Sequence, residues 1–119
     1  MAYVATMPER FIGKSAGSGE CVALVQAAAG AGHTSGWRAG AQVKDAGHIA
    51  RGTAIATFFN GIYPNNAHGN HAAIYLSHSA DGIRVIDQWN KHKASERLIR
   101  YKAGDHDPSN DGDFFYVIE

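Results

Sequence analysis

The feature that most constrains the fold is a change of residue pattern near position 52. Before it, a run of good helix formers extends from Glu20 to Ala29. After it come five short runs rich in β-branched and aromatic residues, with turn residues but no helical stretch between them. Parallel strands need long crossover connections, so strands this close together predict an antiparallel sheet. We therefore predict an α+β domain in which the helix packs on an antiparallel sheet of about five strands. The five runs are residues 53–59, 71–77, 82–87, 97–101 and 114–118.

Length and charge limit the classes of protein to consider. The chain has 119 residues with 11 Lys and Arg against 11 Asp and Glu, and we predict a single domain over residues 1–119. A nucleic-acid-binding protein needs an excess of basic residues, and a membrane span needs about 20 apolar residues in a row. The sequence has neither, and its first ten residues lack the pattern of a Sec-type signal. We therefore expect a protein that is made in the cytoplasm and binds neither nucleic acid nor membrane.

The predicted helix covers residues 19–29 and has Ser18 as its N-cap, which puts Cys21 at the third helical position. Unpaired N–H groups at a helix N-terminus carry partial positive charge and lower the pKa of a nearby thiol. The preceding glycine-rich residues 15–19 would let a substrate approach and leave N–H groups for an oxyanion. Cys21 is the only cysteine, so it forms no intramolecular disulfide. Position alone does not separate a nucleophile from a structural thiol that packs like alanine.

A cysteine nucleophile needs a base within hydrogen-bond reach and a third group that orients the base. His71 begins the second β-rich run, and we expect it to share a face with Ala73, leaving room over that face for the helix that carries Cys21. A hairpin between this run and the next would bring Asp87 back beside His71. Its carboxylate could then accept a hydrogen bond from the imidazole. The pattern therefore predicts that Cys21, His71 and Asp87 lie together.

Three segments carry a family resemblance: Gly-Glu-Cys-Val-Ala-Leu-Val at 19–25, Gly-Asn-His-Ala-Ala-Ile-Tyr at 69–75 and Gly-Ile-Arg-Val-Ile-Asp-Gln-Trp-Asn at 82–90. They resemble the papain-like bacterial cell-wall hydrolases, namely the cysteine-histidine-dependent amidohydrolase/peptidase (CHAP) domains and their NlpC-type relatives. The resemblance implies a papain-like fold in which Cys21 is the nucleophile, His71 the base and Asp87 the group that orients His71.

Two positions depart from the family pattern. Many CHAP domains have Glu where this chain has Asp87, which leaves open whether Gln88 or Asn90 shares the orienting role. The usual Gly-His pair is here extended by Asn70. We expect this extra residue to be a modest insertion before the strand.

The resemblance also implies a function. Small domains of this kind hydrolyse amide bonds in peptidoglycan, as amidases or stem-peptide endopeptidases, and need no cofactor. Without a Sec-type signal, the chain is most similar to the amidase effectors that Gram-negative bacteria inject into the periplasm of rivals through the type VI secretion system. Such toxins imply a cognate immunity protein that blocks the Cys21 cleft. Two alternatives stay open: a phage-derived lysin, and a non-catalytic cell-wall-binding module with a structural thiol.

Other side chains suggest weaker sites. Among seven histidines, His68 and His71 have a spacing that two metal ligands could use. The two residues between them favour a turn and no His-Glu-x-x-His pattern is present, so we predict no metal site. Trp89 is predicted to line the substrate groove, whereas Trp37 is more readily explained by core packing.

Overall fold

The computed structural model describes residues 2–64, 66, 69–102 and 107–119. Within these ranges, the regular structure comprises one α-helix, α1 (Cys21–Ala29), four short 3₁₀ helices and six strands. No helix in the described part of the chain is long and apolar enough to cross a membrane. The strands are β1 (Ala39–Gln42), β2 (Ala54–Thr57), β3 (Ala72–His78), β4 (Gly82–Trp89), β5 (His92–Arg100) and β6 (Phe115–Ile118).

The strands form one sheet in the order β1-β6-β2-β3-β4-β5, and every neighbouring pair is antiparallel. This confirms the predicted α+β class. The additional strand is β1, whose sequence Ala-Gly-Ala-Gln has little intrinsic strand preference. It forms because β6 pairs with it, with Ala39 opposite Ile118. Strand β5 begins at His92, earlier than predicted, because a short turn joins it directly to β4.

Helix α1 packs on one face of the sheet through Leu24 and Val25, which are fully buried. The sheet residues beneath them include Ala54, Ala56, Ala72, Ile74, Leu76 and Ile86. Alanines at this contact let the helix approach the sheet closely, as close-packed interiors require. Ala73 lies in a second core on the opposite face, so the prediction that the helix covers the face of Ala73 is wrong. Successive strand residues point to opposite faces of the sheet. In β3 the residues beneath the helix are therefore Ala72, Ile74 and Leu76, which alternate with Ala73.

Helix α1 begins at Cys21, later than predicted. Gly19 has a φ of +89°, a left-handed conformation that an α-helix does not contain. Glu20 is therefore the N-cap, with extended backbone angles, and the assignment of Ser18 as N-cap is wrong. Cys21 becomes the first helical residue instead of the third. Its N–H is one of the first-turn donors that have no acceptor within the helix.

Candidate active site

The first residue of α1 and the residue before β3 meet at one end of the sheet. Cys21 is a partly buried free thiol, and the imidazole of His71 makes a hydrogen bond with it. The sequence predicts that His71 begins the strand, but β3 begins at Ala72. His71 therefore lies immediately before the first residue of β3, where its side chain can reach the start of α1.

Asp87 binds the other side of the imidazole. Its Oδ2 atom lies 2.8 Å from Nε2 of His71, and its carboxylate is fully buried. The antiparallel pairing of β3 with β4, in which Ile74 lies opposite Ile86, brings the two side chains together. Because Nε2–H donates to Asp87, Nδ1 faces the thiol. Arg97 of β5 donates from Nε to the same Oδ2 at 2.7 Å, which places a positive charge beside the buried carboxylate.

Hydrogen bonds shift the pKa of both groups of the pair. Burial alone would lower the pKa of His71, but the hydrogen bonds to Asp87 and Cys21 and the charges of both raise it to about 9. Burial would raise the pKa of the Cys21 thiol, yet the hydrogen bond to His71 and its positive charge outweigh burial and lower that pKa. The N–H of Ala72 and the hydroxyl of Tyr63 lower the thiol pKa further. These shifts favour the thiolate–imidazolium pair, which is the nucleophilic form.

Tyr63 and Asn70 belong to the site although no sequence pattern marks them. Nδ2 of Asn70 donates to the hydroxyl oxygen of Tyr63 at 3.3 Å, so the phenolic proton is directed to the sulfur of Cys21. Burial raises the pKa of Tyr63, and the charge of Cys21 raises it further, which keeps this proton in place. The Tyr63 ring packs against the buried Trp37 with ring centroids 4.9 Å apart. Tyr63 reaches Cys21 only through the tertiary fold, which is why local spacing does not reveal it.

We expect Tyr63→Phe to weaken the thiolate while preserving the fold. The variant keeps the ring that packs on Trp37 and removes one hydrogen bond to a charged sulfur, worth about 1.5 kcal/mol or roughly 10-fold in turnover. The pKa of the Cys21 thiol should rise, and the rate of its alkylation by iodoacetamide as a function of pH measures the change. Tyr3→Phe, outside the cavity lining, is the matched control. An alkylation profile that stays in place in Tyr63→Phe would contradict this role.

Gln88 follows Asp87 but points to the opposite face of β4. Its amide makes three hydrogen bonds with the loop before α1: two with the N–H and C=O of Ala16 and one with the C=O of Glu20. Asn90 is exposed in the turn after β4. The partner of the imidazole is therefore Asp87, while Gln88 is committed to the loop.

A cavity of about 780 Å³ is lined by Cys21 and His71. Trp89 and Arg97 form part of its wall. The indole of Trp89 is 40% exposed and stacks on the ring of His92, with centroids 3.9 Å apart and planes within 6° of parallel. The guanidinium of Arg97 lies 5.2 Å from the Trp89 ring centroid. Trp89 is thus accessible from the cavity, and its contact with a substrate stays a prediction.

The histidines considered as metal ligands are not both described, because His68 lies outside the described residues. His71 is engaged by Asp87 and Cys21. Across the described ranges, no group of three or more His, Cys, Asp or Glu side chains is arranged to hold a metal ion.

The family profile of domesticated amidase effector 2 matches residues 2–118. The chain belongs to this family. The match includes all three segments around Cys21, His71 and Asp87. It confirms the expected resemblance of the chain to the type VI amidase effectors.

Two relatives of this chain carry related names. The type VI secretion amidase effector 2 protein of Salmonella typhi is 46% identical over 85 residues, which are 68% of this chain and 64% of that protein. The match therefore spans less than two thirds of that relative's length. Domesticated amidase effector 2 of Ixodes scapularis is 45% identical over 104 residues, covering 84% of this chain and 70% of that protein.

The fold is also shared with a solved structure. Type 6 secretion amidase effector 2 (Tae2) superposes with a TM-score of 0.88 and 34% sequence identity, over 98% of this chain and 94% of that chain. This similarity confirms the papain-like fold class implied by the sequence resemblance.

Proposed function

We propose that this chain is an antibacterial amidase that hydrolyses an amide bond of peptidoglycan through the thiolate of Cys21. The observation that carries the proposal is the hydrogen-bonded series of Asp87, His71 and Cys21, which ends at a thiol in the wall of a cavity. A purely structural thiol needs neither a buried, oriented base nor an adjacent cavity. The names of the family and of its relatives add independent support for amidase activity.

In the proposed reaction, the sulfur of Cys21 attacks the carbonyl carbon of the scissile amide. The carbonyl oxygen takes up negative charge, and the N–H of Cys21 at the start of α1 donates to it. Protonated His71 transfers its Nδ1 proton to the amine nitrogen as the C–N bond breaks. Water then attacks the thioester and gives a proton to His71, and the C–S bond breaks to release a carboxylic acid and regenerate the thiolate. Asp87 keeps Nε2–H oriented throughout.

The composition of the cavity wall supports a short peptide as substrate. The lining includes the positively charged Arg97, which is paired with Asp87, the negatively charged Glu20, and polar side chains such as Ser109 and Asn110. Stem peptides of peptidoglycan carry carboxylates and, where diaminopimelate is present, an amine.

We infer that the protein acts in the periplasm of rival bacteria after delivery by a type VI secretion system. The name of the Salmonella typhi relative supports this route. A producing cell would need protection from its own enzyme and from that of its siblings. The partner expected on these grounds is an immunity protein that blocks the cavity at Cys21.

Purified sacculi incubated with the protein test the reaction. Chromatography of the products should show one class of amide bond lost, with a new amine and a new carboxylate in equal amounts. An unchanged muropeptide pattern would contradict a peptidoglycan substrate.

Expression with and without a periplasmic signal in a Gram-negative host tests the site of action, because lysis should require the signal. Toxicity confined to the cytoplasm would contradict a wall-directed role, and a neighbouring holin gene in place of a periplasmic inhibitor would favour the phage lysin.

A further inference from the structure

The side chain of Gln88 is fully buried, and both of its polar atoms are hydrogen-bonded to one loop. Oε1 accepts from the N–H of Ala16 at 2.9 Å, and Nε2 donates to the carbonyl oxygens of Ala16 at 3.0 Å and Glu20 at 2.9 Å. These partners are 72 and 68 residues away in sequence. A buried amide satisfied in this way holds the loop firmly, since moving it would leave polar groups unpaired.

The hydrogen bond from Gln88 to the carbonyl of Glu20 also affects the direction of the Cys21 N–H, because these two groups belong to one peptide unit. In a planar trans peptide the C=O and N–H bonds point in opposite directions. A carbonyl held toward Gln88 therefore directs the Cys21 N–H away from Gln88. As the first residue of α1, Cys21 has no acceptor for this N–H within the helix.

The same peptide unit is also polarised. The carbonyl of Glu20 accepts a second hydrogen bond, from the N–H of Ala23 at 3.1 Å. Two donors on one carbonyl strengthen its N–H as a donor, because hydrogen bonds in a chain polarise one another. The preceding loop contains Gly17 and Gly19, both at positive φ, which impose no side-chain constraint on the peptide plane. Gln88 supplies the constraint that the loop itself lacks.

We propose that Gln88 is a positioning residue of the oxyanion hole: it holds the Glu20–Cys21 peptide unit so that the N–H of Cys21 points at the oxygen of the scissile amide. This inference rests on the proposed amide hydrolysis. Two neighbouring residues of β4 thus have different positioning roles. Asp87 orients the base from one face of β4, and Gln88 orients the oxyanion donor from the other.

The variant Gln88→Met tests the inference because it keeps the length of the side chain and removes the amide. We expect kcat on soluble muropeptides to fall about 10- to 100-fold with little change in KM, since the Cys21 N–H gains its partner mainly in the transition state. An aldehyde analogue of the cleaved stem peptide should bind more weakly by a similar factor, because its adduct with Cys21 places an oxygen in the same position. Alkylation by iodoacetamide forms no such oxygen and should keep its rate and pH profile.

Gln42→Met is the matched control, since Gln42 donates to the carbonyl of Asp113 and lies outside the cavity lining. It should keep the kcat of the parent. Parent-like kcat and aldehyde binding in Gln88→Met would overturn the inference. So would an alkylation profile that shifts together with kcat, because that result means that the whole loop has moved.

If Gln88→Met does not fold, Gln88→Glu provides the test. A protonated carboxyl retains one donor for the carbonyl of Glu20, whereas the carboxylate has none. Activity relative to the parent should therefore be higher at pH 5 than at pH 8, and a ratio independent of pH would overturn the inference. A parent protein that leaves peptidoglycan intact would refute the proposed function itself. An active parent beside an equally active variant would refute only the role of Gln88.

Discussion

Replacing Cys21 with alanine is expected to lower peptidoglycan hydrolysis by at least about 1,000-fold and to abolish lysis from the periplasm. The thiolate sulfur of Cys21 forms the thioester bond. Without this sulfur, His71 has no nucleophile beside it to activate. Removing a partly buried sulfur costs only about 1 kcal/mol of packing, so the variant should remain folded. Release of soluble muropeptides from sacculi measures the first effect, and thermal unfolding verifies the second.

Cys21→Ser is the companion variant, because it keeps the shape of the side chain but replaces the thiol by a hydroxyl that ionises far less readily. It should be as inactive as Cys21→Ala. Both variants should still sediment with sacculi, since the cavity wall is otherwise unchanged. Hydrolysis by Cys21→Ala at the rate of the parent would contradict the proposed mechanism. A parent that binds sacculi without cleaving them would favour the wall-binding module.

The second large effect is expected for Asp87→Asn, which should lower kcat by about 100- to 10,000-fold. An amide has no charge to support the imidazolium, and its NH₂ group can stabilise the wrong tautomer of His71. The same change removes the carboxylate that accepts from Arg97 at 2.7 Å. The Arg97 side chain is 26% exposed, so water can partly solvate its charge when the carboxylate is lost. We therefore expect a moderate loss of about 1–3 kcal/mol in the free energy of unfolding.

The pH profile of the activity separates the effect of Asp87→Asn on catalysis from its effect on stability. Asp87 helps to raise the pKa of His71 to about 9, so the activity of the parent should fall only as the pH rises through that value and the imidazolium loses its proton. Without the carboxylate the pKa of His71 falls, and the loss of activity at high pH begins earlier. Asp81→Asn, in the exposed turn before β4, is the matched control and should leave the profile in place. An unshifted profile in Asp87→Asn would contradict the orienting role.

Periodicity and turn chemistry were sufficient to predict the α+β class, because the helix and the runs that became β2 to β6 each carry their own local signal. The proximity of His71 and Asp87 was predictable too, since a hairpin of known length sets which residues lie side by side. The family resemblance followed from the residues around Cys21. Each of these predictions depends on neighbours in sequence or on a short turn.

The remaining features depend on contacts between distant parts of the chain. Strand β1 has no strand signal of its own and exists because β6 pairs with it. The start of α1 is decided by the left-handed backbone of Gly19, which competes with a plausible cap at Ser18. Tyr63 and Arg97 enter the site from a loop and from the far strand of a hairpin. Their roles depend on side-chain geometry that residue spacing does not encode.

The position of β6 also makes the site around His71 depend on residues far from it in sequence. Residues 115–118 lie inside the sheet, between β1 and β2, and the ring of Phe115 packs against the imidazole of His71 with centroids 6.4 Å apart. A nascent chain that has not yet released these residues from the ribosome lacks one wall of the histidine site and the two ladders that β6 forms with β1 and β2. Such non-local pairing is intrinsically slow to form. We therefore expect a chain that lacks residues 115–118 to form no complete site around His71.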